Sequence, residues 1–312
     1  MAISTRSCST STTVPETIVY NRERHGLPYS KGLMAQSLSA SGLSPDRSYE
    51  LARIVERRLD ERTGFDIAVD QLNELVEEVL LEEVGDDAVR RFHEWQRLDR
   101  LDRPLVVLLA GSTGVGKSTL ATMLAARLGI TRVIATDVIR QVLRAFFSRE
   151  FMPAVHYSAF EAGKAVDLVV EPDEDRDLIG FARQAESIAT GVEAIVERAC
   201  LERTPMVLEG IHLVPGALRD ELHDRCVAVE AVLSVDDEEL HRSHFAMRGG
   251  HRPAERYLDR FEQIRKLQDY LVGKAREEGV AVIENDSIDR ALPRLMDLVL
   301  DSVSRVSSSE TR

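Results

Sequence analysis

The stretch LVVLLAGSTGVGKSTLATMLAARL, residues 105–128, decides the fold. Its opening run, Leu105 to Ala110, is apolar and short, which suits one strand buried on both faces. Gly111, Ser112, Thr113, Gly114, Val115, Gly116, Lys117 and Ser118 then satisfy the Walker A pattern G-x-x-x-x-G-K-[ST] at every fixed position. Beyond Thr119, Leu120, Leu124 and Leu128 recur at helical spacing, and Ala121, Ala125 and Ala126 favour a helix. An ordinary glycine turn is the competing reading, but the strand before it and the helix after it favour a phosphate loop. The glycines let the backbone approach a polyphosphate without Cβ clashes, and N–H groups converge at the helix N-terminus. Residues 111–119 are therefore expected to cradle a nucleoside triphosphate. Lys117 would reach the β- and γ-phosphates and the Ser118 hydroxyl would ligate Mg²⁺.

The rest of the chain bounds what surrounds this loop. At 312 residues it is too long for one compact phosphate-loop core, so two domains are expected. The formal charge of −13 argues against non-specific nucleic-acid binding, which needs a basic surface. A small anionic substrate remains compatible with it, provided cations cluster locally. No apolar run approaches the ~20 residues that span a bilayer, so no membrane partner is expected. Cys8, Cys200 and Cys226 are far apart and lack metal-ligand spacing, which fits reduced thiols in a cytoplasmic protein. The Ser/Thr-rich residues 1–17 lack an apolar h-region and read as a disordered tail, as do residues 305–312. A homo-oligomer is compatible with the sequence, which does not specify one.

Residues 18–98 read as a small, mainly helical domain. Leu33, Met34 and Leu38 fall on one side of a segment that follows Tyr29-Ser30-Lys31-Gly32. Ser44-Pro45 is a helix start, and Leu72, Leu75, Val76, Val79 and Leu80 form an amphipathic stripe over residues 70–84. The charged segment closing on Pro104 marks the domain boundary. From there to residue 304 apolar strands alternate with helical patterns, with further strands expected at 133–135, 206–208, 227–233 and 280–283. That alternation implies α/β architecture, a parallel sheet of the P-loop kinase type with helices on both faces. In such a sheet ligands bind beyond the carboxyl ends of the strands.

Residues in those places carry the candidate chemistry. A helix starting near Asp137 puts Asp137, Arg140 and Arg144 on one face, a carboxylate to orient or deprotonate an acceptor hydroxyl and two guanidiniums to hold an anion. The competing reading is a helix N-terminal acid with arginines on a solvated face. Glu209 ends a strand where a Walker B carboxylate sits and is expected to hold Mg²⁺ with Ser118. A hydrogen-bonded structural role is expected for His212. Arg248 and Arg252 flank Gly249-Gly250 in the densest basic stretch, where a mobile segment could add positive charge to a transferring phosphoryl group. Arg256 and Arg260 continue the stretch as a stripe that Glu255, Asp259 and Glu262 could neutralise. His241 and His244 lack a third ligand, so no zinc is expected.

Taken together the residues resemble the 2-phosphoglycerate kinase family. The likeness rests on Pro28-Tyr29-Ser30-Lys31-Gly32, the phosphate loop, Thr136-Asp137-Val138-Ile139-Arg140, the run from Glu209 to Gly216, and Val282-Ile283-Glu284-Asn285. The resemblance implies ATP- and Mg²⁺-dependent transfer of the γ-phosphoryl group to the 3-hydroxyl of 2-phosphoglycerate. Arg140, Arg144, His156 and Lys164 would then lie on the acceptor side. It also implies that the N-terminal domain is ATP-cone-like, with Arg22, Arg24 and Lys31 as basic ligands. The alternatives are another phosphorylated polyol acceptor, such as an inositol phosphate, and a non-catalytic nucleotide-sensing regulator.

Overall fold

The computed structural model describes residues 18–20, 27–61, 67–100, 103–166, 175–216, 220–246 and 254–310. The expected tail at 1–17, and the candidates Arg22, Arg24, Arg248 and Arg252, lie outside the described residues.

The N-terminal unit comprises β1 (Ile18–Tyr20), β2 (Leu27–Pro28), α1 (Lys31–Ala40), α2 (Pro45–Glu61), β3 (Ile67–Ala68), α3 (Val69–Glu83) and α4 (Asp86–Arg100). Side-chain hydroxyls start two of its helices: Ser30 Oγ accepts from the Leu33 N–H and Ser44 Oγ from the Arg47 N–H, both at 3.3 Å. Leu38, Leu51, Val55, Leu72, Leu75, Val76, Val79, Leu80 and Phe92 close one core among these helices. Leu33, expected on the inner side, is 67% exposed, because α1 turns Leu38, Ser39 and Ala40 inward instead. Lys31 pairs with Glu56 at 3.1 Å.

α4 runs on to Arg100, within the charged boundary segment that closes on Pro104, and β4 follows from Leu105. Trp95 and Ala40 belong to the core of the second unit, and Arg91 pairs with Asp297 at 2.7 Å.

The second unit begins with β4 (Leu105–Gly111), α5 (Lys117–Arg127), β5 (Val133–Ala135) and α6 (Thr136–Phe146). Two 3₁₀ turns, Pro153–His156 and Ala159–Ala165, lead to α7 (Arg176–Glu202), β6 (Met206–Gly210) and α8 (Asp220–His223). It closes with β7 (Val227–Ser234), α9 (Glu238–Ala246), α10 (Ala254–Leu258), α11 (Phe261–Glu277), β8 (Ala281–Glu284) and α12 (Ile288–Glu310). The five strands are parallel in the order β5-β6-β4-β7-β8. Successive residues of β4 feed opposite layers, as the two-residue pleat requires. Leu105, Val107 and Leu109 join the core under α5 and α12, whereas Val106, Leu108 and Ala110 join the one under α7 and α11.

Residues 305–310, expected as a tail, form the last turns of α12. Val299, Val303 and Val306 continue its apolar stripe onto the core, and this burial keeps the helix going. Asp175 caps α7 by accepting from the N–H groups of Asp177 (2.9 Å) and Leu178 (3.2 Å). Gly180 of α7 lies directly on the second 3₁₀ turn, where a Cβ would overlap the backbone of Ala162 and Gly163.

Candidate active site

The phosphate loop leaves β4 at its carboxyl end, beside the ends of β6 and β7. Gly116, at φ 84°, turns the chain into α5. A Cβ there would also overlap the amide of Asn285, which follows β8. Lys117 is 9% exposed and its Nζ donates to the Ser112 carbonyl at 2.7 Å. One turn on, Ser118 Oγ donates to Glu209 Oε1 at 2.8 Å. Glu209 is 7% exposed, and β6 carries it to this point because it pairs with β4 in register, Leu109 opposite Glu209. A hydroxyl and a carboxylate beside a phosphate loop are oxygen ligands of the kind a hard divalent cation takes. Among the described residues no group of three or more His, Cys, Asp or Glu side chains forms a self-contained metal site. Any cation here would therefore complete its coordination from phosphate and water.

Behind the loop runs a buried polar chain. The Gln184 amide donates to the carbonyls of Ala154 (2.6 Å) and Tyr157 (3.0 Å), so its oxygen accepts from His212 Nε2 at 3.1 Å. With that proton assigned, His212 Nδ1 accepts from the Thr136 hydroxyl at 2.9 Å. Burial holds His212 neutral, pushing its pKa down to about 3. Gly210 makes room for this chain, since a Cβ there would overlap Thr136 Oγ1. The chain sets both Thr136, at the root of α6, and the turn at 153–157 that walls the neighbouring cavity.

That cavity, about 590 Å³, opens from the phosphate loop at Thr113. Asp137, Arg140, Arg144, His156, Lys164 and Arg256 line it, with Glu161 and Tyr257. All four basic side chains expected on the acceptor side, Arg140, Arg144, His156 and Lys164, are therefore brought together, but they are not equivalent. Arg140 is used within the wall: Nε donates to Asp137 Oδ1 at 3.0 Å and Nη1 to the Tyr157 carbonyl at 3.1 Å. His156 Nε2 likewise donates to the Phe147 carbonyl at 3.0 Å. Arg144 lies in the cavity lining. Lys164 and Arg256 share Glu161, at 2.8 and 2.7 Å, and Arg256 also donates to Ser158 Oγ at 2.9 Å.

Asp137 lines this cavity with its side chain 59% exposed. Partial burial pushes its carboxyl up, but Arg140, with Lys117 behind it, outweighs this and holds it below the usual range. Its carboxylate is therefore ionised at neutral pH.

Arg256 is the residue that sequence reasoning undervalued. Its spacing fitted a solvated stripe, and its actual partner, Glu161, lies 95 residues away in sequence. Thr136 and Asn285 were singled out only as part of the family resemblance, and Gln184 not at all, because their partners His212 and Val115 are distant in sequence.

A protein-family model described as Zeta toxin matches residues 90–200, from α4 through the phosphate loop to α7. A solved gluconokinase from Sinorhizobium meliloti 1021 is similar over 67% of this chain and 96% of its own, at 16% identity and a TM-score of 0.35. The chain is 36% identical over 295 residues to a 2-phosphoglycerate kinase of Methanococcus maripaludis, covering 93% of this chain and 94% of that one. It is 35% identical to a 2-phosphoglycerate kinase of Methanopyrus kandleri, covering 89% of this chain and 86% of that one. With that extent of identity spanning both structural units, the chain belongs to the 2-phosphoglycerate kinase family.

Proposed function

We propose that the chain transfers the γ-phosphoryl group of ATP to the 3-hydroxyl of 2-phosphoglycerate, giving 2,3-bisphosphoglycerate and ADP. The observation that carries this reading is the continuity of the phosphate loop with a cation-lined cavity. Thr113 belongs to both, and Asp137 lines the same cavity. An acceptor bearing a phosphate and a carboxylate needs several cations in an otherwise acidic chain. Arg144, Lys164 and Arg256 line the cavity, the last two joined through Glu161, while Arg140 and His156 shape its wall.

Phosphoryl transfer passes through a loose transition state, so positioning and charge dominate over covalent chemistry. The loop N–H groups and Lys117 hold the donor phosphates. Asp137 accepts a hydrogen bond from the acceptor hydroxyl, aligns its oxygen and takes its proton as the new O–P bond forms and the bond to ADP breaks. Its lowered pKa suits alignment more than early deprotonation, which a loose transition state does not require. Ser118 and Glu209 fit Mg²⁺, which when bound neutralises charge on the donor phosphates.

ADP release is measured with 2-phosphoglycerate, with a panel of other phosphorylated polyols, and with no acceptor. Turnover that depends on 2-phosphoglycerate is expected. Acceptor-independent turnover, or a clear preference for another polyol phosphate, would refute the assignment.

A further inference from the structure

Four consecutive carbonyls of the phosphate loop are each held by a side chain. Lys117 Nζ donates to Ser112 O at 2.7 Å, His241 Nε2 to Thr113 O at 2.9 Å, His244 Nδ1 to Gly114 O at 2.9 Å and Asn285 Nδ2 to Val115 O at 2.9 Å. A carbonyl only accepts, so the tautomers follow: His241 carries its proton on Nε2 and His244 carries one on Nδ1. In a trans peptide the C=O of one residue and the N–H of the next point in opposite directions. No cis peptide occurs among the described residues. Holding the Thr113 and Gly114 carbonyls toward α9 therefore turns the N–H groups of Gly114 and Val115 away from that helix.

The two histidines come from α9, far from the loop in sequence, and α9 is fitted closely to it. Gly114 is not a fixed position of the loop motif, yet it has φ 95° and a Cβ there would overlap the Phe245 ring and meet His241. The His241 ring is buried and stacks near Phe245 at 5.5 Å, edge-on to Phe261 at 5.3 Å. Burial pushes His241 down to about 4, so it is a neutral donor at ordinary pH. His244 is half-buried at the outer end of the same contact.

We propose that His241 and His244 are positioning residues for the donor triphosphate: by holding the carbonyls of Thr113 and Gly114 they aim the N–H groups of Gly114 and Val115 at its phosphate oxygens. The i, i+3 spacing of the pair puts both rings on the face of α9 that meets the loop, and each reaches one of two successive carbonyls. This inference rests on reading the loop as the ATP site.

Calorimetric titration of the full-length protein with ATP and with inorganic tripolyphosphate tests it. The proteins compared are wild type, His244→Ala, His244→Asn, His241→Leu and His241→Gln. Loss of one orienting hydrogen bond is expected to weaken both ligands by about five- to tenfold in His244→Ala and His241→Leu. His244→Asn and His241→Gln, which keep an N–H donor near the original position, should recover most of that loss. The Michaelis constant for the acceptor should not change, which a general loosening of the fold would not achieve. Equal affinity in all five proteins overturns the proposal, as does an effect confined to the acceptor. If His241→Leu does not fold, the His244 pair decides alone. A wild type that binds neither ligand overturns the kinase reading as well, whereas tight wild-type binding matched by the variants overturns only the positioning role.

Discussion

Replacing His212 with Gln should flatten the acid limb of the stability profile. His212 is 2% exposed and burial pushes its pKa from 6.5 down to about 3. Its folded-state value is depressed, so its contribution to stability is fully present above the unfolded value and is lost as pH falls toward the folded one. Between those limits the unfolded chain takes up a proton that the folded chain refuses, and stability falls by about 1.4 kcal/mol per pH unit. Two units below 6.5 the loss amounts to roughly 3 kcal/mol from this residue. His241, pushed down to about 4, adds a parallel loss that the variant retains. Asp137 is lowered from 3.8 and titrates below this window, so it does not confuse the comparison. Trp95, the only tryptophan, is 9% exposed in the core that joins the two units and reports unfolding by its fluorescence. Urea unfolding at pH 7.5, 6.5, 5.5 and 4.5 should show the wild type losing roughly 3 kcal/mol more than His212→Gln across that range. Parallel profiles for the two proteins would refute the neutral, doubly hydrogen-bonded imidazole and with it the Thr136–His212–Gln184 chain.

Other substitutions separate the parts of the site. Lys117→Ala should lower phosphoryl transfer by about a hundredfold or more, with the unfolding midpoint close to wild type. Glu209→Gln should raise the Mg²⁺ concentration for half-maximal rate by about tenfold, and an unchanged Mg²⁺ profile would remove Glu209 from that role. Arg256→Ala should raise the Michaelis constant for the acceptor by about tenfold or more while leaving that for ATP unchanged, since it removes a charge-assisted hydrogen bond on the acceptor side only. Gly180→Ala should destabilise the fold by about 2 kcal/mol or more, read as a lowered urea midpoint, because α7 would be pushed off the Ala159–Ala165 turn.

Several features could be read directly from local pattern. Residues 105–128 specify strand, loop and helix within one stretch, so the phosphate loop needed no other part of the chain. The strands expected at 133–135, 206–208, 227–233 and 280–283, observed at 133–135, 206–210, 227–234 and 281–284, were legible because each is a short apolar run flanked by helical periodicity. Asp137 and Glu209 followed from the rule that ligands lie at strand carboxyl ends. Where pattern and structure part, the cause is non-local contact. The end of α12 looked like a tail because Ser307 to Ser309 are polar, yet Val303 and Val306 pack against a core that exists only after folding. Leu33 looked inward on periodicity, but the outcome depended on which face of α1 meets α2.

By itself the sequence determined the phosphate-loop motif and the α/β class, because both depend on residues within a few positions of one another. Only the tertiary structure decided the make-up of the cavity beside the loop. Arg140 and His156 are bonded to carbonyls of the cavity wall, whereas Arg256 reaches across 95 residues of chain to pair with Glu161 in the same lining. It likewise decided what holds the loop's carbonyls, since His241, His244 and Asn285 lie 128, 130 and 170 residues from their partners. A side chain's charge is written in the sequence. Whether that charge is used up by a neighbour or left to meet a ligand depends on which distant backbone atoms folding brings within hydrogen-bond reach.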